Sequence, residues 1–376
     1  MNTIYLLKEH QYEDTTWFIR IMSGILGTVN PKKDEVCVID TNDFEKLPLD
    51  TVILIIGFSY AFISRTLERC LMHSLRPLVV GINPNNLLRN ISYVTIDRGI
   101  AMQENVCSLI DAGATHIALI GINPSVHTDM TYLDGFLKGV AGKGVTDADH
   151  DIFYSHNDIK EAVNCFCQRA RQYDAVCCSN DYTAIYLLSE LKKFDIKVPE
   201  ELAVTGFGNL DIAKYTNPPL STIDMPLDHV GKQAIFLYKI LSTSDAVSTI
   251  DCIIQHKPIY RGTTNDSMNP HSAIDTSSHN YTPFLNMAYE DSLKPIWSIA
   301  NAYNNMDNTD RAIIRGIAQG KLYTEIADMC YISDSTLRYR LNKLYANTNV
   351  RNKNELKSLL NTYFPNFNTE ITKPTK

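Results

Sequence analysis

At 376 residues, with 44% hydrophobic and 20% charged residues, the chain is long enough for two or three domains that each bury a core. Its net charge of −7 argues against a protein that wraps DNA over its whole surface, but residues 291 to 376 hold 12 Lys and Arg against 8 Asp and Glu, net +4, while residues 1 to 290 carry net −11. The nine cysteines make neither a disulfide-like nor a zinc-like framework, because Cys165, Cys167, Cys177 and Cys178 lie at strand or helix spacings and no His cluster completes a site, so reduced buried thiols with no metal and no cofactor are expected.

Met1-Asn2-Thr3 runs straight into a strand pattern without the basic and apolar regions of a signal peptide. The longest apolar run, Val52 to Ile63, is interrupted by Ser59 and too short for a bilayer, so a cytoplasmic protein with no membrane contact is expected. From Thr3 to about Gly262, short β-branched runs alternate with helical patterns. Ile4 to Leu7, Glu35 to Ile39, Val52 to Ile56, Leu78 to Ile82, Ile117 to Ile120, Ala175 to Cys178 and Leu202 to Gly206 read as strands buried on both faces, the signature of parallel sheets. Trp17 to Gly27, Met102 to Ala112, Ile159 to Tyr173 and Tyr182 to Phe194 read as helices between them. So many strands exceed one comfortable sheet, and the spacing predicts an α/β domain over 1–262 made of two doubly wound parallel lobes with a cleft at the strand carboxyl ends. His10, Tyr12, Phe58 and Ser59, with Trp17 close by, end the first lobe's strands, and their aromatic character suits stacking on a sugar face or another flat ligand. Asn180 and Asp181 follow the sixth strand. There is no Gly-x-Ser-x-Gly elbow or Gly-x-Gly-x-x-Gly turn, and Gly139 to Gly144 is not a phosphate loop, with Leu137 where the first glycine belongs and no Ser or Thr after Lys143, so an enzyme is not expected.

Residues 263–299 read as a linker and connecting helix. Thr263 to Thr282 is dominated by Ser, Thr, Asn, Asp and His, a composition that cannot bury a core, and Pro283 to Ala302 carries apolar surface that suits capping the C-terminal bundle or a dimer contact. Over 300–364 a compact helical unit is predicted. Asp307 caps a first helix carrying Ile313, Ile314 and Ile317, stopped by Gly320; a second carries Tyr323, Ile326, Ala327 and Cys330. Ser333 caps a third, on which Leu337, Leu341 and Leu344 share a buried face. The opposite face holds Arg338, Tyr339 and Asn342, flanked by Arg340 and Lys343. Such a face suits the major groove, where Arg pairs with guanine and Asn with adenine, and Arg351 and Lys353 beyond the helix are placed for phosphate. Residues 365–376 read as a disordered tail.

Two resemblances extend this reading. Asp174-Ala175-Val176, Ser179-Asn180-Asp181, Val198-Pro199-Glu200-Glu201-Leu202-Ala203-Val204-Thr205-Gly206-Phe207 and Asn217 to Ile223, extended by Asp97, Gly113, His116 to Gly121 and Gly135-Phe136, resemble the ligand-sensing core of LacI-family repressors, which is related to periplasmic sugar-binding proteins. The resemblance implies a small-molecule effector, a sugar or derivative, with Asn180, Asp181, Tyr132 and Asn209 at the family's binding positions, beside His10, Tyr12, Phe58 and Ser59 from the strand ends. The family's own headpiece before this core is expected to be absent, since the first strand begins at residue 3. Three positions depart from the family. Gly206-Phe207-Gly208-Asn209 replaces Gly-Phe/Tyr-Asp-Asp, Tyr132 stands where an arginine is usual, and Gly81-Ile82-Asn83 lacks the usual aspartate. Each missing hydroxyl partner removes about 1–3 kcal/mol, which argues against an ordinary hexose.

Ile317-Ala318-Gln319-Gly320, Glu325-Ile326-Ala327, Ile332-Ser333, Thr336, Val350-Arg351-Asn352 and Glu355-Leu356 resemble the LuxR/GerE type of helix-turn-helix. Asn347-Thr348-Asn349 replaces its usual Lys-Leu-Gly, and Leu322 stands where a Ser or Thr cap is common. This resemblance implies a DNA-contacting set of Ser333, Ser335, Thr336, Arg338, Tyr339, Asn342, Arg351 and Lys353, with double-stranded DNA as partner and a homodimer as the binding form. The function implied is a transcriptional regulator with an effector-sensing core. The alternative is a regulator whose core binds no small molecule and serves as a dimerisation or partner-docking scaffold.

Overall fold

The computed structural model describes residues 2–264 and 291–368, apart from 14, 58, 86, 125, 146, 148, 149, 157 and 245. In chain order it forms β1 (Asn2–Lys8), α1 (Thr16–Thr28), β2 (Asp34–Val38), β3 (Val52–Ile56), α2 (Tyr60–Met72), β4 (Arg76–Val80), β5 (Ser92–Thr95), α3 (Arg98–Asp111), β6 (Ile117–Ile122), α4 (His127–Val140), β7 (Ile152–Tyr154), α5 (Ile159–Arg169), β8 (Ala175–Cys178) and α6 (Asp181–Leu191). There follow β9 (Ala203–Thr205), β10 (Thr222–Asp224), α7 (Leu227–Thr243), β11 (Asp251–Ile253), β12 (Lys257–Ile259), α8 (Lys294–Asn304), α9 (Asn308–Ala318), α10 (Tyr323–Cys330), α11 (Asp334–Thr348) and α12 (Lys353–Tyr363). These elements gather into two units, Met1–Asp97 with Met225–Lys257, and Arg98–Asp224 with Pro258–Lys376.

In the first unit six parallel strands lie in the order β11-β5-β4-β3-β1-β2. Val38, Leu6, Leu54 and Leu78 fall side by side across four of them. All five residues of β3 are buried, as a central parallel strand covered on both faces requires. Helices α1 and α7 cross in tight contact, which the side chains at the crossing dictate. A Cβ on Gly24 would lie 2.0 Å from the Asp228 carbonyl oxygen, and one on Gly231 2.0 Å from that of Ile21, so only glycine lets the two backbones meet.

The second unit holds the parallel sheet β7-β6-β8-β9, with α3 packed on α4 and with α5 and α6 against the strands. The C-terminal helices belong to the same unit. Helix α8 packs against both α6 and α11, and α9 against α10 and α12. Ile296, Ile299, Ala302 and Tyr303 of α8 are buried accordingly.

Three expectations change. Thr263 and Thr264 do not open a flexible linker: both are buried, and the Thr263 hydroxyl accepts from Ser221 N at 2.8 Å and donates to the Val204 carbonyl at 2.6 Å. Within the helix expected over Pro283 to Ala302, Asp291–Leu293 is a 3-10 turn leading into the α-helix Lys294–Asn304, while 265–290 lie outside the described residues. The tail expected to be disordered from Pro365 starts as a 3-10 turn, Pro365–Asn368, because Phe367 finds a buried aromatic partner; 369–376 lie outside the described residues. All nine cysteines are free, and burial pushes the Cys70, Cys167 and Cys177 thiols up to about 12. Among the described residues no group of His, Cys, Asp or Glu is placed to hold a metal, and no helix is long and apolar enough to cross a membrane.

Candidate functional site

Helix α11 starts at Ser333, whose hydroxyl accepts from Thr336 N at 3.2 Å and meets the Ser335 and Thr336 hydroxyls at 2.9 and 2.8 Å. Leu337, Leu341 and Leu344 are buried on one side. Ser335, Thr336, Arg338, Tyr339 and Asn342 are exposed on the other, Tyr339 to 72%. The helix joins α10 through Tyr331, Ile332 and Ser333; Tyr331 takes a left-handed conformation, φ 54°, and the Ile332 amide closes the turn on the Ala327 carbonyl at 3.1 Å. Leu322 gives α10 no polar cap, and Glu325 supplies one by accepting from Leu322 N at 2.5 Å.

The cations on this unit divide by partner. Among the described residues Arg338 meets Asp334, at 2.9 Å in the open, a pair worth little in water. Arg340 is half-buried and engaged within the unit, donating to Asp307 at 2.8 Å and Asp310 at 2.7 Å and so fastening α11 to the start of α9. A backbone hydrogen bond from Asp310, with Arg340 next, holds the Asp307 carboxyl below its ordinary value. Arg351 is exposed. Lys353, expected to face phosphate, is half-buried at the first position of α12, which Asn352 caps: it donates to the Lys321 carbonyl and lies over the Tyr323 ring at 4.9 Å.

The second-unit effector candidates also turn inward. Asn180 caps α6, accepting from Thr183 N at 2.9 Å and donating to the Ser179 hydroxyl at 3.0 Å. Asp181 is fully buried, with Oδ2 accepting from Leu210 N at 2.6 Å and Oδ1 from the Thr222 hydroxyl at 2.5 Å; burial raises its carboxyl to about 6. Asn209 is buried at φ 52° and accepts from Arg261 at 2.8 Å, after Gly208 at φ 124°. Asp181 and Asn209 hold the loop after β9, whereas Asn180, partly exposed, caps α6, so each of the three has partners within the protein. Arg261, which the sequence reading passed over, ties Asn209 to the next turn by also donating to the Leu220 carbonyl at 2.7 Å. Tyr132 is half-buried and packs on Phe207 with ring centroids 4.6 Å apart, and burial pushes its phenol up to about 12.

In the first unit a hollow of about 350 Å³ is lined by Glu9, Asp40, Thr41, Ser59, Phe62 and Arg65, among others. Ser59 is the one described candidate that borders it. The carboxylate of Glu9, a residue without a motif to flag it, accepts from the Ser59 hydroxyl, from Ser59 N at 3.0 Å and from Gln11 at 2.6 Å. His10 is exposed and bonded to Glu13 at 2.5 Å, and Tyr12 leans on Trp17 at 6.2 Å; neither borders the hollow. Phe58 lies outside the described residues.

Residues 106–264 match the periplasmic binding protein-like domain. The class so defined is a chain with a periplasmic-binding-protein-like α/β core, and the C-terminal helices lie beyond the matched stretch. Catabolite control protein A of Staphylococcus aureus (strain Mu50 / ATCC 700699) is 28% identical over 203 residues, 54% of this chain; the chain spans 61% of the length of that relative. Among solved structures, the Escherichia coli transcriptional repressor ascG superposes with a TM-score of 0.57 at 22% identity, covering 70% of this chain and 99% of that one. The transcriptional regulator CelR-cellobiose complex gives 0.56 at 18%, covering 70% and 84%. At these identities the likeness to the solved structures is one of fold.

Proposed function

We propose that this chain is a DNA-binding transcriptional regulator, with α11 as the helix that enters the major groove, Ser333, Ser335, Thr336, Arg338, Tyr339 and Asn342 as its contacts, and Arg351 beyond it on phosphate. The observation that carries the reading is the division of α11 into a buried leucine face and an exposed face of arginine, phenol and amide, on the net-positive end of an acidic chain. The turn through Tyr331 and the order of motifs support a LuxR-type helix-turn-helix, binding as a homodimer. The core takes no catalytic part. It senses a small molecule, a sugar or derivative, at the strand ends of the first unit around Glu9 and Ser59. The relatives' names as a catabolite control protein and transcription regulators, and the cellobiose complex of one, agree with this. Fluorescence anisotropy with labelled duplex tests it. The full chain should bind with an affinity that falls steeply with salt, and a chain cut after Thr264 should not bind. Equal binding by both would remove the assignment.

One observation favours a second reading, a core that serves as a dimerisation or docking scaffold without an effector: Asn180, Asp181 and Asn209 are all engaged by the protein itself. Thermal-shift measurements with a panel of mono- and disaccharides separate the two, since a ligand of the native state must raise the melting temperature.

A further inference from the structure

The C-terminal helices meet the rest of the second unit through rings and hydroxyls. Tyr215, closing the turn Ala213–Tyr215, stacks on Phe367 with centroids 4.1 Å apart and planes at 16°. It also meets Tyr303 of α8 edge-on at 5.7 Å, and the two hydroxyls share a hydrogen bond at 2.8 Å. Arg311 of α9 lies over the Tyr303 ring at 4.9 Å, and Asn366 donates to the Thr216 carbonyl at 2.6 Å. Phe364 and Phe367 are buried completely or nearly so.

Tyr215 and Thr216 end a segment, Gly206 to Thr216, in which every residue except half-buried Lys214 is buried. At its other end Phe207 carries the Tyr132 ring. In between, Gly208 N donates to the Ile223 carbonyl at 2.8 Å, Asn209 N to the Thr222 hydroxyl at 3.1 Å, and Leu210 N to Asp181. A segment packed on its sides, with its polar groups satisfied at fixed points, does not absorb a displacement as an exposed loop does; it passes the displacement along.

We propose that Gly206 to Thr216 is a coupling beam, through which the state of the Tyr132–Phe207 contact sets how firmly α8 and the helices behind it are held to the second unit. The coupling stands on packing alone. That it regulates DNA affinity rests on the function proposed above.

Hydrogen exchange read by mass spectrometry on the full chain, without DNA or ligand, tests the coupling. Tyr132→Ala, which removes the ring that packs on Phe207, should speed exchange in Lys294–Asn304 and Pro365–Asn368 by about tenfold. Tyr215→Phe, which deletes only the shared hydroxyl bond, should loosen the same helices and leave α4 protected. The comparator is Phe153→Leu on the edge strand β7, taken where it lowers the melting temperature as much as Tyr132→Ala does. It should leave α8 unchanged. If Tyr132→Ala loosens only α4 and residues near 207, or if Phe153→Leu loosens α8 equally, the beam does not exist. Anisotropy with a random-sequence duplex then addresses regulation. Faster exchange in α8 with unchanged duplex affinity would keep the coupling and overturn its bearing on DNA, whereas a changed affinity supports both.

Discussion

At Asp181 both carboxylate oxygens are held at 2.5–2.6 Å by Thr222 and Leu210, yet burial outweighs these bonds and lifts the carboxyl to about 6. An unfolded aspartate titrates near 3.9. Between those values the folded chain keeps a proton that the unfolded chain releases, so stability falls as pH rises through that window. Above it the ionised carboxyl opposes folding by up to about 3 kcal/mol. Asp181→Asn should therefore melt at or above the wild-type temperature at pH 7 and lose that advantage at pH 4; a variant equally destabilised at both would show that the carboxylate stabilises the fold. Lys353→Ala should cost about 1 kcal/mol of stability, through the lost carbonyl and ring contacts, and leave the salt slope of DNA binding unchanged. A slope reduced by about one would return Lys353 to phosphate. The family resemblance implied ligand roles for Asp181 and Asn209. Which way the side chains turn is decided by Leu210, Thr222 and Arg261, partners brought in by the fold.

Elements were legible where one period dominated. β3, buried along its whole length, and α11, with leucines at i, i+4 and i+7, could be read directly. Strands β5, β10, β11 and β12 could not, because short runs such as Ser92 to Thr95 or Asp251 to Ile253 mix polar and apolar residues without a pattern, and β7 is only three residues long. The α1/α7 crossing was also hidden, since a glycine looks the same in a helix whether or not another backbone lies against it. Alanine substitutions separate the cases. Gly24→Ala forces a methyl group to within 2.0 Å of the Asp228 oxygen and should destabilise the first unit by about 3 kcal/mol or more. Gly27→Ala on the same helix meets nothing within 4 Å and should be neutral or stabilising by about 0.5–1 kcal/mol. Denaturant melts with equal losses for both would contradict the close crossing.

At the scale of the molecule, the sequence suggested a DNA-binding module, 300–364, tethered by a linker. The structure makes the C-terminal helices part of the second unit, with Tyr303 and Phe364 facing Tyr215 and Phe367. A fragment of residues 300–364 lacks most of α8 and all of Phe367, so its circular dichroism should show no cooperative melt; a sharp transition would mean the module folds alone. Composition hid this, because an aromatic seam spread over Tyr215, Tyr303 and Phe367 leaves no local pattern. The central claim is that α11 reads DNA, and its most direct test is a salt titration of affinity for a duplex selected from a random library and for random DNA, comparing the full chain with Arg338→Ala. Arg338 is exposed and its pairing with Asp334 is exposed too, so its removal should leave the fold intact, cost roughly 1–3 kcal/mol per half-site on the selected duplex and little on random DNA. Equal weakening of both duplexes, or no selected duplex at all, would contradict it.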